Sequence, residues 1–324
     1  FREVCTIIVH LIYSAAHQLP TSFSELFKRK EIHMRKKKCY VQLLYFSELL
    51  PEKYPEDTAN LFAALEKHNV AYAFVKGAKD ARIRDFMPVQ VHGRYPSDNV
   101  LFRYEPSYLE NQRNLQTDFS RDIDTDWQSV NGWRPPRNFD ESEIKLDGGN
   151  ILVSPDNEKI IISDRIFSEN PEYGKAELKR KLDSVLWRTQ IIIIPSIKDD
   201  ITGHADNMVR FLDEQTVLCN ESLPSDRFYR QLHTILEYHG LDVLEFPFAS
   251  TGNSSGMGRY LNYLETDEAV FLPVFGMDAD ARAVSVAEKM FSKPVEPVMI
   301  PNIAADGAGL HSISWGMSDY VWIQ

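Results

Sequence analysis

Four short stretches of the sequence place chemically active side chains beside apolar runs. They hold Asp85 in RIRDFMPVQV, Asp147 in LDGGNILVS, His204 and Asp206 in GHADNMVRF, and Ser312 in HSISW. Carboxylates accept the forked N–H donors of a guanidinium group in pairs, so two carboxylates from separate loops, with a His nearby, suit a planar cation. The combination predicts a binding site for a cationic ligand of this kind.

The local spacing adds detail to this prediction. His204 and Asp206 are two residues apart, which places both side chains on the same side of an extended strand. The pair Gly148–Gly149 allows a ligand to approach the backbone closely. Each feature alone also has a structural explanation: Asp85 in a local ion pair, His204 as a hydrogen-bonded structural residue, and the glycines as a turn. Together they favour a site.

The stretch DGAGLHSISWGM near the C-terminus holds His311 and Ser312 within an apolar run. One interpretation is a buried strand end with a polar pair. The other is a strand end that carries a catalytic nucleophile. The residues alone leave both open.

A rival nucleophile motif lies at GNSSG, residues 252–256, which matches Gly-x-Ser-x-Gly with Ser254 as the nucleophile. That motif needs a strand before it and a helix directly after it. LDVLEFP can supply the strand, but MGRYLNYLE has an extended pattern. The sequence therefore disfavours a hydrolase of that type.

Composition excludes several classes of function. The chain has 324 residues, 43% of them hydrophobic, and a net charge of -11, which argues against a nucleic-acid partner. Its three Cys form neither a disulfide framework nor a metal-ligand spacing, which indicates a reducing compartment. Every apolar run is shorter than a membrane span of about 18–20 residues. We expect a cytoplasmic rather than a secreted protein, with no nucleic acid, membrane, metal or cofactor.

The first residues have their own pattern. The apolar stretch Cys5–Ala16 has the length of a signal-peptide core, but only Arg2 is basic before it, and the basic residues crowd Lys28–Lys38 around Met34. We interpret residues 1–33 as a leader or non-native extension. Residues 34–324 are then expected to form a single catalytic domain.

Helix and strand patterns alternate along the rest of the chain. Four segments each read as an amphipathic helix followed by an apolar strand: Thr58–Val75, Lys175–Pro195, Arg227–Pro247 and Asp280–Pro301. The stretch NILVSPDNEKIIIS predicts a hairpin that turns at Pro155–Asn157. This alternation indicates an α/β fold.

The segment Pro96–Glu143 differs, since it is rich in Asp, Asn, Arg and Pro. We expect a long surface insertion there, of the kind that forms lids. Trp127 and Trp133 lie in its polar part, either to bind a ligand or to pack the insertion onto the body.

Taken together, these motifs resemble the agmatine deiminase and Porphyromonas-type peptidylarginine deiminase family of guanidine-modifying enzymes. The resemblance runs from Tyr45 to the C-terminus and is carried by RDFMPVQ, DGGNILVS, GHADNMVRF, GRYLNYLE, FLPVFGMDAD and DGAGLHSISW. It implies the pentein fold, a five-bladed α/β propeller with pseudo-five-fold symmetry and a site in its central channel.

The resemblance also implies roles for the catalytic residues. Asp85 and Asp206 would clamp the guanidinium nitrogens, and His204 would act first as general acid and then as general base. The nucleophile of the family is a Cys, whose place is taken here by Ser312. A Ser hydroxyl is far harder to ionise than a thiol with a pKa near 8.5, so we expect activity to be lost or very low.

Further site residues follow from the same resemblance. Asp147 and Asn150 would shape the site beside the substrate, and Asn262 matches a site Asn of the family. Arg82 stands where relatives usually have a Trp that walls the site. An Arg there would repel a guanidinium unless its side chain points away, which puts the substrate preference in question.

The reaction implied is agmatine plus water to N-carbamoylputrescine plus ammonia, a step of polyamine and putrescine biosynthesis that uses no cofactor. Peptidylarginine or arginine deiminase activity, and a non-catalytic guanidinium-binding paralogue, are the alternatives. Ser312 is explained by an introduced Cys-to-Ser change that traps substrate or by a natural inactive paralogue. The partner expected is a small cationic guanidine, and a homo-oligomer is compatible with the sequence.

Overall fold

A computed structural model of the protein describes residues 37–91, 99–112, 114–123, 139–186, 190–198, 200–222, 225–249 and 255–323. The expected leader at 1–33, together with Trp127, Trp133 and Ser254, lies outside these ranges. Within them, none of the helices combines the length and the apolar character that crossing a bilayer requires.

The described strands form five sheets of three strands each. They are β1 (Lys37–Ser47), β2 (Tyr72–Val75), β3 (Val89–Gln90), β4 (Asn99–Arg103), β5 (Phe139–Lys145), β6 (Ile151–Val153), β7 (Lys159–Ser163), β8 (Gln190–Ile194), β9 (Val209–Phe211), β10 (Thr216–Asn220), β11 (Asp242–Phe246), β12 (Leu264–Glu265), β13 (Val270–Val274), β14 (Val295–Met299) and β15 (Ser314–Ile323). The sheet orders are β15-β1-β2, β3-β4-β5, β6-β7-β8, β9-β10-β11 and β12-β13-β14.

Every sheet repeats one pairing pattern. Its middle strand runs antiparallel to the first strand and parallel to the third. We call each such sheet, with its connections, a blade. The blade that contains β1 takes its first strand, β15, from the other end of the described chain, and β1 pairs with β15 from Lys37 opposite Ile323 to Phe46 opposite Ser314.

Parallel neighbours in a sheet need a crossover connection, which is usually helical. The described α-helices are α1 (Leu50–Lys53), α2 (Pro55–Lys67), α3 (Phe119–Asp122), α4 (Arg165–Glu169), α5 (Lys175–Val185), α6 (Arg227–Tyr238), α7 (Asp280–Met290) and α8 (Pro301–Ala305). In four blades, helices connect the middle strand to the third strand. The four helix-then-strand units of the sequence are these crossovers, so that prediction is confirmed.

The expected surface insertion at Pro96–Glu143 is wrong at both of its ends. β4 lies at its start and β5 at its end, and the two strands pair in parallel. The segment between them takes the place of the crossover in this blade, with a 3-10 helix at Ser107–Leu109 and the short α3. Its polar composition concealed this role, because the two helices in its described part are only three and four residues long.

The crossover helices bury one apolar face each. Leu232 and Leu236 of α6 are fully buried, as are Ala283 and Ala287 of α7, and both pairs have the i, i+4 spacing of one helix face. The Asp226 carboxylate begins α6 by accepting hydrogen bonds from the first free backbone amides of the helix. These contacts fix each helix on its sheet and so fix the turns that lead into the next blade.

β6 and β7 form the expected hairpin, with Asn157 in the left-handed conformation at its turn. After GNSSG, residues 255–263 contain no helix before β12, so the Gly-x-Ser-x-Gly motif lacks the element it needs.

Candidate active site

The predicted site residues share one place in the fold. Each lies in the segment directly before the first strand of a blade: Asp85 before β3, Asp147 and Asn150 before β6, His204 and Asp206 before β9, Asn262 before β12, and Ser312 before β15. The structure therefore brings one such turn from every blade to the same end of the first strands. This position explains why residues so distant in sequence share a site.

The backbone at these turns differs from the strand predicted for His204 and Asp206. His204 is extended, but Ala205–Asn207 form a 3-10 helix, so the two side chains leave the turn in different directions and meet different partners. Similar 3-10 helices occur at Ile83–Asp85 and Gly148–Asn150.

Hydrogen bonds join each turn to its neighbour in a closed circle, which we call the ring of turns. The bonds are Arg84 N to Ser312 O (3.1 Å), Gly149 N to Asp85 Oδ1 (3.1 Å), His204 Nε2 with Asp147 Oδ2 (2.9 Å), Asn262 Nδ2 to Asp206 Oδ2 (3.3 Å) and Ser312 N to Asn262 Oδ1 (3.2 Å). Four of the five involve a predicted site side chain. The residues that would do chemistry thus also hold the blades together.

His204 lies between two buried carboxylates. Its Nε2 is 2.9 Å from Asp147 Oδ2, and its Nδ1 is 3.7 Å from Asp85 Oδ1. Burial acts to lower the pKa of His204, but the charge of Asp85 and the hydrogen bond and charge of Asp147 outweigh it and raise the pKa to about 9. The imidazole is therefore protonated at neutral pH and can serve as an acid.

Asp206 is the most deeply buried carboxylate of the site, with 1% of its surface exposed. Its Oδ2 contacts His311 Nδ1 at 2.8 Å and Asn262 Nδ2 at 3.3 Å, while its Oδ1 has no hydrogen-bond partner in the described part of the chain. Burial raises the pKa of Asp206. An unpaired buried carboxylate oxygen is costly, so it provides a strong acceptor for a ligand that donates N–H groups.

His311 is a site residue that the sequence analysis left undecided. Burial lowers the pKa of His311 well below its ordinary value, and the nearby Arg210 and Arg84 lower it further. A neutral His311 must donate from Nδ1, since the Asp206 carboxylate only accepts. His311 thus holds Asp206 in place on the ring of turns.

Ser312 is half-buried, and its hydroxyl faces an amide rather than a base. Both its backbone N and its Oγ lie 3.2 Å from Asn262 Oδ1. Asn262 in turn donates to Asp206 through Nδ2. Asn262 therefore fixes the relative positions of Ser312 and Asp206.

Arg82 does not present a free charge to the site. Its guanidinium group forms a forked ion pair with Asp80, with Nη2 2.6 Å and Nε 3.2 Å from Asp80 Oδ2. Asp80 is buried, and its pairing with Arg82 overcomes the effect of burial and lowers its pKa. The repulsion expected between Arg82 and a cationic ligand is therefore largely compensated within the protein.

Asn150 has the contacts of a positioning residue. Its Oδ1 accepts from the backbone amides of Ser163 (3.0 Å) and Ala205 (3.2 Å), which ties the turn before β6 to the turn that carries His204. Its predicted contact with substrate stays a prediction.

Tyr108 is a further residue at the site, and sequence reasoning missed it. Its hydroxyl donates to Asp147 Oδ2 at 2.8 Å, and its ring packs edge-on against His204 at 6.2 Å between centroids. Tyr108 belongs to the crossover between β4 and β5 and is not part of any of the motifs. Only its contacts with Asp147 and His204 identify it as a site residue. The space beside Tyr108, Asp147 and His204 is about 10 Å³.

Gly149 is required by the close packing of the ring of turns. A Cβ atom at this position would lie 2.6 Å from His204 Nδ1 and 2.7 Å from Asp85 Oδ1. Real Cβ atoms do not approach other atoms so closely, so glycine lets Gly149 N donate to Asp85 while His204 stays beside both.

The chemistry available at this site is that of buried carboxylates, a protonated imidazole and a hydroxyl. In the ranges that the structure covers, no group of three or more His, Cys, Asp or Glu side chains is arranged to hold a metal ion. Two carboxylates with an imidazolium between them can bind a cation with several N–H donors and protonate a departing amine.

Comparisons with known proteins identify the family of the chain. The model of the Porphyromonas-type peptidyl-arginine deiminase family matches residues 49–317, most of the chain. An agmatine deiminase of Pseudomonas aeruginosa is 24% identical over 209 residues, which cover 53% of this chain and 56% of that protein. The chain thus spans less than two thirds of the length of the curated relatives it matches.

Solved structures show the same fold. The agmatine deiminase of C. jejuni superposes with a TM-score of 0.63 at 18% identity, covering 85% of this chain and 92% of that one. A Porphyromonas gingivalis structure described as an arginine deiminase has a TM-score of 0.59 at 18% identity, covering 77% and 78%. The five blades are therefore those of the pentein fold, and the chain belongs to the Porphyromonas-type peptidyl-arginine deiminase family.

Proposed function

We propose that the site binds a small guanidine, in the first instance agmatine, and that it is the deiminase site of the agmatine deiminase type with Ser312 in the place of the nucleophilic Cys. The observation that carries the proposal is the buried Asp206, whose Oδ1 is left without a partner on the same ring of turns as Asp85 and His204. The names of the relatives, agmatine deiminase among them, support this substrate class.

In the proposed complex, Asp85 and Asp206 accept N–H donors from the guanidinium, whose carbon is thereby held electron-poor. Hydrolysis replaces one C–N bond by a C–O bond: water supplies the oxygen, and the departing nitrogen leaves as ammonia after taking a proton from His204. Asp147 orients His204 by accepting from Nε2, and Tyr108 shares the same Asp147 oxygen.

The electrostatics of the site suit a thiolate nucleophile better than a hydroxyl. A protonated His204 stabilises a neighbouring thiolate, but it cannot accept the proton that Ser312 must lose to attack carbon. The acceptor beside Ser312 Oγ is the amide oxygen of Asn262, which is not a base. We therefore propose that this chain binds guanidines and turns them over very slowly or not at all.

The Ser312–Asn262 contact also favours a second candidate, a guanidinium-binding paralogue that does not catalyse. Two solved structures of similar fold are Cys-to-Ser variants with a bound ligand. One is C. jejuni agmatine deiminase with substrate, and the other is the Pseudomonas aeruginosa enzyme DDAH with citrulline. Proteins of this fold can therefore bind a ligand when Ser replaces the nucleophilic Cys.

Calorimetric titration with agmatine, arginine and an arginyl peptide, paired with an assay of ammonia release, tests these proposals. Saturable binding of one of the three supports the guanidine site, and its rank order identifies the substrate class. Absence of binding by all three would contradict the proposal. Ammonia release by the chain as it stands would show that Ser312 is catalytically competent. The proposed polyamine role, cytoplasmic location and homo-oligomeric state stay predictions.

A further inference from the structure

A second cavity, of about 370 Å³, lies along the first strands of the blades. Residues of β3, β6, β9, β12 and β15 all line it, and the turns contribute Arg84, Gly148 and His311. Asp85, His204, Asp206 and Ser312 are not among its described lining residues. The cavity therefore meets the ring of turns at side chains other than those proposed to contact the guanidine, and it shares His311 with the site described above.

Two arginines enter this cavity with most of their hydrogen-bonding capacity unused. Arg210 is 9% exposed; its Nη1 donates to the backbone oxygens of Tyr263 (2.8 Å) and Leu261 (3.4 Å), and its guanidinium carbon lies 4.3 Å from the centre of the Tyr263 ring. Arg84 Nε donates to His311 O at 3.1 Å. Of five N–H donors on each guanidinium, the described structure engages few.

Neither guanidinium forms an ion pair within 4.0 Å in the described ranges, although the buried carboxylates of Asp206 and Asp85 act on the charge of Arg84 from a greater distance. The other cation of the lining, Lys293, is paired with Glu265 at 2.8 Å. Asp267 is exposed, and its backbone N donates to Gln42 Oε1. The lining thus leaves an excess of positive charge at Arg84 and Arg210.

The two charges also influence each other. Burial lowers the pKa of Arg84 to about 10, and repulsion from Arg210 contributes to the shift. The whole chain carries a net charge of -11, so its general field does not attract anions. An attraction for an anion in this cavity must therefore be local.

We propose that this cavity is a binding site for a small oxyanion, such as inorganic phosphate or a carboxylate, held between the guanidinium groups of Arg84 and Arg210. Guanidinium forks match the oxygens of phosphate and carboxylate groups and bind them through paired, charge-assisted hydrogen bonds. The cavity volume of about 370 Å³ equals that of roughly twelve water molecules at about 30 Å³ each, so such an ion fits with part of its hydration.

Calorimetric titration of the full chain with sodium phosphate, and separately with sodium sulfate and sodium acetate, tests the site at constant ionic strength set with sodium chloride. We expect saturable phosphate binding with a Kd of about 1 mM or tighter. The phosphate and sulfate arms against the acetate arm show whether the site prefers a tetrahedral oxyanion or a carboxylate.

Three variants locate the site. Arg210→Gln removes a cavity charge, and Gln42→Glu adds a negative charge to the lining while it keeps the oxygen that accepts from Asp267 N. Each should weaken phosphate binding at least about tenfold, the scale of a charge-assisted hydrogen bond. Lys289→Gln, on α7 and outside the cavity, removes the same charge as Arg210→Gln and should bind phosphate like the parent.

Arg210→Gln removes the hydrogen bonds to the backbone oxygens of Leu261 and Tyr263, so this variant can fail to fold. In that case Gln42→Glu tests the site alone. Lack of saturable binding of all three anions by the parent chain would overturn the proposal. So would equal phosphate binding by the parent and a folded Gln42→Glu variant.

A coupled measurement rests additionally on the proposed guanidine site. The positive charges of Arg84 and Arg210 act to lower the pKa of Asp206. An anion that screens these charges therefore makes the electrostatic potential at Asp206 more negative. Phosphate should then tighten agmatine binding a few-fold, and agmatine should tighten phosphate binding by the same factor. If agmatine does not bind, phosphate titration alone still decides the anion site.

Discussion

Ser312 Oγ and Asn262 Oδ1 lie 3.2 Å apart, and the same amide oxygen also accepts from Ser312 N. Asn262 therefore fixes the side chain at position 312 on the ring of turns, where the residues that the structure describes give the Ser hydroxyl an amide acceptor and no base. Position 312 therefore suits a nucleophile that is ionised without the help of a neighbouring base, such as a thiolate.

Replacing Ser312 by Cys should produce an active enzyme. The exchange of oxygen for sulfur changes the volume little, and the protonated His204 favours a thiolate. We expect ammonia release from a guanidine to rise at least about 100-fold, equivalent to about 2.7 kcal/mol of barrier. The Cys at 312 should also react with iodoacetamide.

Ser168→Cys is the matched control, because Ser168 is exposed on α4, away from the ring of turns. That variant should be alkylated without any gain in ammonia release. A folded Ser312→Cys protein that is alkylated at 312 and stays inert on agmatine, arginine and an arginyl peptide would show that the chain is a binding protein.

Asp206→Asn and Asp85→Asn should each weaken agmatine binding by about 1.5–3 kcal/mol, the strength of hydrogen bonds to a charged group. The Asn side chain keeps the shape but loses the charge that a guanidinium needs. Asp242→Asn, at an exposed position of β11, should bind like the parent. Unchanged affinity in both site variants, measured by calorimetry, would show that the carboxylates do not clamp the ligand.

The stability of the ligand-free protein should fall as the pH rises from about 6.5 to about 9. The pKa of His204 is raised to about 9 in the folded state, so the folded chain binds its proton more tightly than the unfolded chain does. This stabilisation is complete below the ordinary pKa of His, about 6.5, and is lost as the pH passes through the folded value.

Thermal melting at several pH values measures this effect. In His204→Gln the melting temperature should depend less on pH across the same window than it does in the parent. Identical slopes for the parent and His204→Gln would mean that His204 does not hold its proton more tightly in the folded state.

Gly149→Ala should destabilise the protein by about 1–3 kcal/mol, the cost of overpacking, and should abolish guanidine binding. The new methyl group would meet His204 and Asp85 at under 3 Å. Gly174→Ala is the control, since nothing lies within 4 Å of a Cβ atom there. Melting temperatures of the two variants that match within error would show that the ring of turns can widen.

Much of the fold could be predicted from residue patterns. The helix and strand of Lys175–Pro195 follow from the spacing of Leu178 and Leu182 and from the β-branched run after them, and the crossovers of three other blades follow similarly. The second blade could not be predicted, because its crossover is polar and its third strand, β5, alternates charged residues on an exposed side.

The site could be predicted as a set of residues but not as a set of contacts. Motif identity placed Asp85, His204 and Asp206 together, whereas the pairing of Arg82 with Asp80 depends on a local turn that composition does not reveal. Arg210 was missed because its partners, the backbone oxygens of Leu261 and Tyr263, belong to the next blade. Every residue has a backbone carbonyl, so a contact with a backbone acceptor cannot be predicted from residue types.

The pairing of β1 with β15 has a consequence for how the chain folds during synthesis. β1 emerges from the ribosome early, but its antiparallel partner emerges only after all the other described strands. Until then one edge of the first sheet is open and can pair with another chain. The late partner also brings Ser312, two residues before β15, so the nucleophile position is completed in the same step that closes this edge. Closure of the circle and assembly of the site are therefore one long-range event that comes late in synthesis, and we expect it to be slow because its contacts join distant parts of the chain.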